Sequence, residues 1–243
     1  MLFRSDPRVI HRLITLDHLL RMRSGLGFPV VHSDGQVTLG FENSAIYQDA
    51  GDAFDAAQRS IVATMPGAVY RYINSGLNVL GAIIRDQIEK RGLPYHETLY
   101  GLLIDRLGMA SYQYSADITG NLIASGAGFA TLRDYAKLGM LYLQNGIWDG
   151  EQLLPQGWAD YALTATHTGT SYAACFRTNI DRLFPDLPPD TALGFGRFRP
   201  AHLHLASPPV DRSGQQRDRP SDGPACLEPR HCDGNRGLGI ATG

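Results

Sequence analysis

The sequence predicts a mainly helical globular domain with one short strand, followed by a stretch without regular pattern. Three observations lead there. Leu77, Leu80, Gly81, Ile84 and Ile88 recur at three and four residues, the spacing of one face of an α-helix. The same period returns after Pro94 and after Thr131, while only residues 172–178 read as a strand. Over residues 193–243 neither the helical nor the strand period persists.

Each element follows from local chemistry. Residues 1–13 form an irregular lead-in, because Pro7 disfavours helix just before it. Thr15 caps a short helix with Leu16, Leu19 and Leu20 on one face, closed by Gly25. Gly, Ser and Asp punctuate residues 27–51 and predict a long surface loop. Residues 52–64 predict a helix with Phe54, Ala57, Ile61 and Val62 as its apolar stripe, ended by Pro66-Gly67. The helix through Leu77 and Ile88 stops at Gly92, and the next turns Leu99, Leu102, Leu103 and Leu107 inward. Thr131-Leu132-Arg133-Asp134 has the form of a capping box with Asp in place of Glu. It opens a helix through Tyr135, Leu138, Leu141 and Tyr142 that ends at Asn145-Gly146. Asp149-Gly150 is a turn, and Pro155 suits the first position of a last helix through Trp158 and Tyr161.

Residues 193–243 hold seven arginines, six prolines and one isoleucine, too little apolar surface to offset the entropy of ordering, so disorder is expected. Such text also results when a GC-rich gene is translated out of frame, and a frameshift near codon 192 is our hypothesis for its origin. A strand-rich continuation in another frame of the coding DNA would support it; none in either frame would remove it.

Composition narrows the function classes. With 43% hydrophobic and 19% charged residues and a net charge of −2, the chain has no electrostatic footprint for nucleic acid or an anionic membrane, and neither is expected as a partner. No apolar run reaches membrane-spanning length. Met1-Leu2-Phe3-Arg4-Ser5-Asp6-Pro7 lacks the apolar core of a secretory signal, so a cytoplasmic location is expected for the chain as written. Cys175, Cys226 and Cys232 are too few and too unevenly placed for a disulfide framework. His96-Glu97 lacks the second histidine of a zincin helix and reads as a surface pair. His202, His204, Cys226, His231 and Cys232 are metal-binding types at spacings that fit no known site. No metal and no cofactor is expected.

The most informative stretch is 66–76, Pro-Gly-Ala-Val-Tyr-Arg-Tyr-Ile-Asn-Ser-Gly, leading into the amphipathic helix. Tyr72 and Asn74 are two apart, so in extended backbone both side chains leave the same side. A phenol and an amide presented together at a helix entrance suit acyl transfer: one moves a proton, the other holds a carbonyl. Tyr72 and Asn74 are the candidate catalytic residues. Ser24 and Ser75 precede glycines, but no Gly-x-Ser-x-Gly elbow surrounds either, so both read as turn or cap residues.

The Tyr72-Ile73-Asn74 element resembles the Tyr-x-Asn motif of the penicillin-recognising serine hydrolases, the β-lactamase-related family. Two further blocks, in the family's order, strengthen the likeness. Ile14-Thr15-Leu16-Asp17-His18-Leu19-Leu20 through Ser24-Gly25-Leu26 resembles the segment after the nucleophile helix. Ala124-Ser125-Gly126-Ala127-Gly128, Asp134-Tyr135-Ala136-Lys137-Leu138-Gly139 and Trp148-Asp149-Gly150-Glu151-Gln152-Leu153-Leu154-Pro155 resemble the branch of 6-aminohexanoate-oligomer hydrolases and esterases. The likeness covers residues 14–192 and implies an α+β, β-lactamase/transpeptidase-like fold, here mainly its helical lobe with little of the antiparallel sheet. It implies a small-molecule amide or ester substrate and an acyl-enzyme. In that chemistry a serine attacks, and a lysine one turn later shares the proton work with the tyrosine. An unperturbed phenol, with a pKa of about 10, is a poor base unless nearby positive charge stabilises its phenolate. A Lys/His-Ser/Thr-Gly strand supplies oxyanion donors worth about 3 kcal/mol each.

This chain departs from that pattern at both ends. Ser-x-x-Lys occurs nowhere in its 243 residues: three before Lys90 stands Gln87, and three before Lys137, the only other lysine, stands Asp134. His167-Thr168-Gly169 precedes Phe184-Pro185-Asp186-Leu187-Pro188, the wrong order for the oxyanion strand. The expectation is an enzyme by descent, truncated at both ends and inactive as it stands, with a parent that could be periplasmic or secreted. The alternative is a non-catalytic binding module that keeps part of the cleft.

Overall fold

A computed structural model describes residues 10–31, 33–40, 51–165, 171–189, 191–194 and 203–205. All lie in the first of two compact units, Met1–Ser207; the second, Pro208–Gly243, falls outside the described residues, as does most of the stretch expected to be disordered.

Thr15 caps α1 (Leu16–Leu20): its hydroxyl accepts from the His18 N–H at 3.1 Å, while the His18 ring accepts from the Thr15 N–H at 3.3 Å. The first part of the expected 27–51 loop is instead a hairpin, β1 (Leu26–Val31) and β2 (Val37–Gly40), with Phe28 opposite Gly40 and Val31 opposite Val37. Its turn is local chemistry, since the Asp34 carboxylate accepts from the Gln36 N–H at 3.0 Å. The expected 52–64 helix also divides. Asp52 caps α2 (Ala53–Gln58), after which β-branched Ile61 and Val62 extend as β3 and pair with Gly27 and Leu26 of β1.

The helix predicted most directly, α3 (Asn74–Glu89), packs against α1 and α2. Gly81 sits on the α2 face because there is no room for more. A Cβ there would stand 2.7 Å from the Phe54 ring and 3.1 Å from the Ala124 methyl. Phe54 cannot yield, since it is buried with Ile88, Tyr95 and Leu122. The close approach therefore outweighs the ~1 kcal/mol by which alanine is the better helix former.

After Pro94, α4 (Tyr95–Leu99) runs on into one π-helical stretch, Tyr100–Ile104. This wider winding shifts the register, and Leu102, expected inside, is 60% exposed while Leu107 is buried. Thr131 caps α5 (Leu132–Leu143), but the capping box is not reciprocal. Asp134, one methylene shorter than glutamate, accepts from the Ser111 hydroxyl and N–H at 2.6 and 2.8 Å, and Ser111 in turn accepts from the Thr131 N–H at 2.9 Å. Asp149 and Gly150, both with positive φ, turn the hairpin of β6 (Ile147–Trp148) and β7 (Glu151–Gln152). The last helix, α6 (Trp158–Leu163), starts after left-handed Gly157 and not at Pro155.

Strand content exceeds the single strand expected, and the 172–178 strand is itself a reversal. Tyr172 bridges Arg177 across left-handed Cys175, leaving only β8 (Arg177–Thr178). Beside the β2-β1-β3 sheet stand two separate two-stranded sheets, β4 (Gln113–Tyr114) with β5 (Gly128–Phe129) and β6 with β7. A fourth sheet, in the order β10-β9-β8, crosses the boundary expected at residue 192: β9 (Ala192–Gly194) pairs with both β8 and β10 (Leu203–Leu205). Most of these strands are two or three residues long, too short for an alternating pattern to be visible in sequence.

The 117–121 turn is pinned to the start of α2 by the Asp117 carboxylate. It accepts from the N–H groups of Ala53, Thr119 and Asn121 at 2.8–2.9 Å and from the Asn121 side-chain amide at 3.0 Å. Partial burial pushes this acid up, but the donors outweigh it and hold the pKa at about 2. The stabilisation is therefore present above the ordinary carboxylate pKa of about 4 and is lost as pH falls through about 2. Urea midpoints measured between those pH values should fall, and Asp117→Asn, weaker at neutral pH, should show a smaller fall.

Candidate active site

Tyr72 and Asn74 flank Ile73, which is 2% exposed and packs with Leu19 and Leu26. The Arg71 N–H donates to the Met22 carbonyl at 2.8 Å and ties this extended stretch to the turn after α1. With Ile73 turned into the core, its two neighbours leave the opposite side of the backbone. Tyr72 is half-exposed and Asn74 half-buried. Asn74 is the first residue of α3; the cap position is Ile73, so the amide does not act as the N-cap.

Beside Tyr72 opens a cleft of about 360 Å³. Leu77 of α3 and the 124–128 turn form one side, through Ser125, Gly126 and Gly128. Tyr112 and Tyr114 stand next to that turn, Tyr135 reaches in from α5, Tyr172 and Cys175 come from the reversal before β8, and Arg177 is the first residue of β8. The Asn74 side chain is not part of this lining. The turn is tight: Ala127 has a φ of 65°, and a Cβ on Gly128 would lie 2.8 Å from the Tyr112 hydroxyl.

One residue without a role in the sequence reading holds the cleft together. Asn78 is fully buried. Its Nδ2 donates to Ser125 Oγ at 3.0 Å and to the Asn74 carbonyl at 3.3 Å, and its Oδ1 accepts from the Ala124 N–H at 3.0 Å. A single amide thus joins the first turn of α3 to the turn that lines the cleft. The signal available in sequence was a polar residue one helical turn after Asn74, flanked by the apolar positions of the same helix.

The lining is phenolic with one cation. Tyr72 meets Tyr172 edge-on at 6.2 Å between ring centroids, and Tyr70 lies 5.5 Å from the same ring. Desolvation pushes Tyr172, Tyr112 and Tyr135 above the ordinary phenol value, and it raises Tyr70 as well, although the Arg177 charge pulls Tyr70 and Tyr172 the other way. These four phenols therefore stay protonated near neutrality and act as donors. The Tyr135 hydroxyl already donates to the Gly128 carbonyl at 2.8 Å. Cys175 is exposed as a residue, yet its crowded thiol is pushed up to about 11 by desolvation, so little nucleophilic thiolate forms.

Neither lysine reaches the cleft. Lys90 pairs with Asp86 at 2.6 Å on the outer face of α3, and Lys137 pairs with Asp134 at 2.8 Å and donates to the Gly108 carbonyl. Ser24 and Ser75 are buried and closed to substrate, and His96 and Glu97 are exposed. His167-Thr168-Gly169, His202 and the two C-terminal cysteines lie outside the described residues. Among the described residues no cluster of three or more His, Cys, Asp or Glu could hold a metal ion, and no helix is long and apolar enough to cross a membrane.

Helices beside small antiparallel sheets, with a phenol-lined cleft at a helix mouth, define an α+β protein. The beta-lactamase family profile matches residues 5–182, and the chain belongs to that family. Its fold is similar to that of a Bacillus anthracis protein provisionally assigned as a 6-aminohexanoate-dimer hydrolase. The two are 22% identical, with a TM-score of 0.58 over 77% of this chain and 53% of that one. The D-amino acid amidase of Ochrobactrum anthropi SV3, solved with D-phenylalanine, aligns at 18% identity and a TM-score of 0.40, over 76% of this chain and 56% of its own. The chain thus spans little more than half the length of either solved protein. No curated protein matches it.

The Asn78 clamp has a direct test. Asn78→Ala leaves the Ala124 N–H and Ser125 hydroxyl short of a buried partner, a loss of about 1–3 kcal/mol in urea unfolding. Asn78→Asp, which sets a buried carboxylate against the Asn74 carbonyl, should lose at least as much at neutral pH.

Proposed function

We propose that the described residues between 66 and 194 form the substrate side of an acyl-transfer cleft of the serine-hydrolase type, taking a small amide or ester. In this reading Tyr72 is the proton-transfer phenol, and Asn74, whose side chain lies outside the lining, is the amide that meets the substrate's acyl group only at the rim, at the mouth of α3. The observation that carries it is the position of Tyr72 on the wall of a cleft shared with the 124–128 turn, in a chain of the beta-lactamase family. Arg177, in the same lining, brings positive charge to this wall of the cleft, where it acts on Tyr70 and Tyr172.

The attacking group is not among these residues. The sequence has no Ser-x-x-Lys, both lysines are committed to ion pairs away from the cleft, and the Cys175 thiol is held neutral. The 243-residue polypeptide is therefore proposed to bind a small amide without turning it over, a hydrolase cleft by descent.

Two measurements test this. Incubation with a fluorophosphonate or a reactive β-lactam should give no covalent mass gain; an adduct on any side chain overturns the absence of a nucleophile. Phenylacetamide, titrated by ligand-observed NMR, should bind about fivefold more weakly to Tyr72→Phe, the loss expected for one neutral hydrogen bond. Equal binding to both proteins removes Tyr72 from the site.

A further inference from the structure

Next to the phenolic cleft lies a second pocket of about 220 Å³. Its walls are almost wholly apolar: Ile84 from α3, Leu99 ending α4, Tyr100, Leu103 and Ile104 from the π-helical stretch, and Leu122. Three residues, Tyr112, Tyr114 and Ala124, line both spaces, so the two share a wall. Tyr112 is the partition. Its ring stands 6.2 Å from Tyr100 on the apolar side and 5.8 Å from Tyr114, while its hydroxyl lies against Gly128 of the cleft turn.

We propose that this pocket is the subsite for an uncharged apolar group of phenyl size on the amide or ester whose carbonyl occupies the neighbouring cleft. Volume sets the size class: an apolar cavity of about 150 Å³ holds benzene, so 220 Å³ admits a phenyl ring with a methylene or two. The lining sets the chemistry, since a charged group would lose its hydration there without gaining a partner. The wall in common sets the connection: a group bonded within one or two atoms of the carbonyl can pass Tyr112 into the pocket. The wall is also partly π-helical, a winding that occurs mostly as single turns and frequently at functional sites. Ile84, 46% exposed on α3, stands at the pocket's outer edge.

This inference rests on the cleft reading above, and one titration separates the two. The probes are 4-fluorophenylacetamide and 2-fluoroacetamide, observed by fluorine NMR with the 243-residue chain. The ring should tighten binding about tenfold, the return on burying its apolar surface. Ile84→Trp, whose larger side chain fills the mouth from a half-exposed position, should abolish that advantage and leave 2-fluoroacetamide unchanged. Leu103→Ala enlarges the pocket and should tighten binding of 1-naphthylacetamide about tenfold, a gain that misfolding cannot imitate. A ring that adds nothing, or an advantage untouched by Ile84→Trp, overturns the proposal, whatever Tyr72→Phe does. If the ring advantage stands and Tyr72→Phe changes neither probe, the apolar subsite survives and the role given to Tyr72 falls.

Discussion

The carboxamide of Asn78 is the constraint on which the candidate site depends. It is fully buried, and its two arms reach the start of its own helix and the turn forty-six residues later. A buried amide whose groups are satisfied in one arrangement only penalises every other placement of that turn, because each alternative strands a donor or acceptor away from water. The 124–128 turn therefore has one position against α3. The cleft wall, the close approach of Tyr112 to Gly128 and the partition between the two pockets all inherit it.

Around that clamp the packing is a sequence of close approaches. Phe54 is pressed against α3 where Gly81 gives way, and the same glycine lines the apolar pocket. Ile73 is driven into the core between Leu19 and Leu26, which is what turns Tyr72 outward. Core burial and site geometry are thus two faces of the same residues. Tyr112, Tyr135 and Tyr172 are neutral because they are crowded, and the one cation of the lining, Arg177, follows a reversal pinned to α1 by the Cys175 N–H bond to the Leu20 carbonyl at 3.0 Å.

Much of the helical architecture was legible in the sequence. The Thr15 and Thr131 caps, the Gly92 stop and the α3 stripe declare themselves within a few residues, because helix signals are local. The sheets were not, since β3, β4, β5, β6, β7 and β8 are two residues each and owe their extension to partners elsewhere in the chain. Residues 27–40 misled for a related reason: Asp34 and Gly35 look like loop text but make a hairpin turn. Of the candidate pair, Tyr72 lies on the cleft and Asn74 stands just off it. Asn78, Tyr112 and Arg177 escaped notice because their roles exist only once distant segments meet.

The cleft draws on α3, on residues 112–128, on α5, on the reversal at 172–177 and on β9. No contiguous piece of the chain holds more than a fraction of it. A ligand seated there consequently reads out the cooperativity of the whole described unit, so its affinity and the global unfolding free energy are thermodynamically linked. Substitutions far from any bound atom, if they loosen one contributing segment, will register first as a weaker ligand.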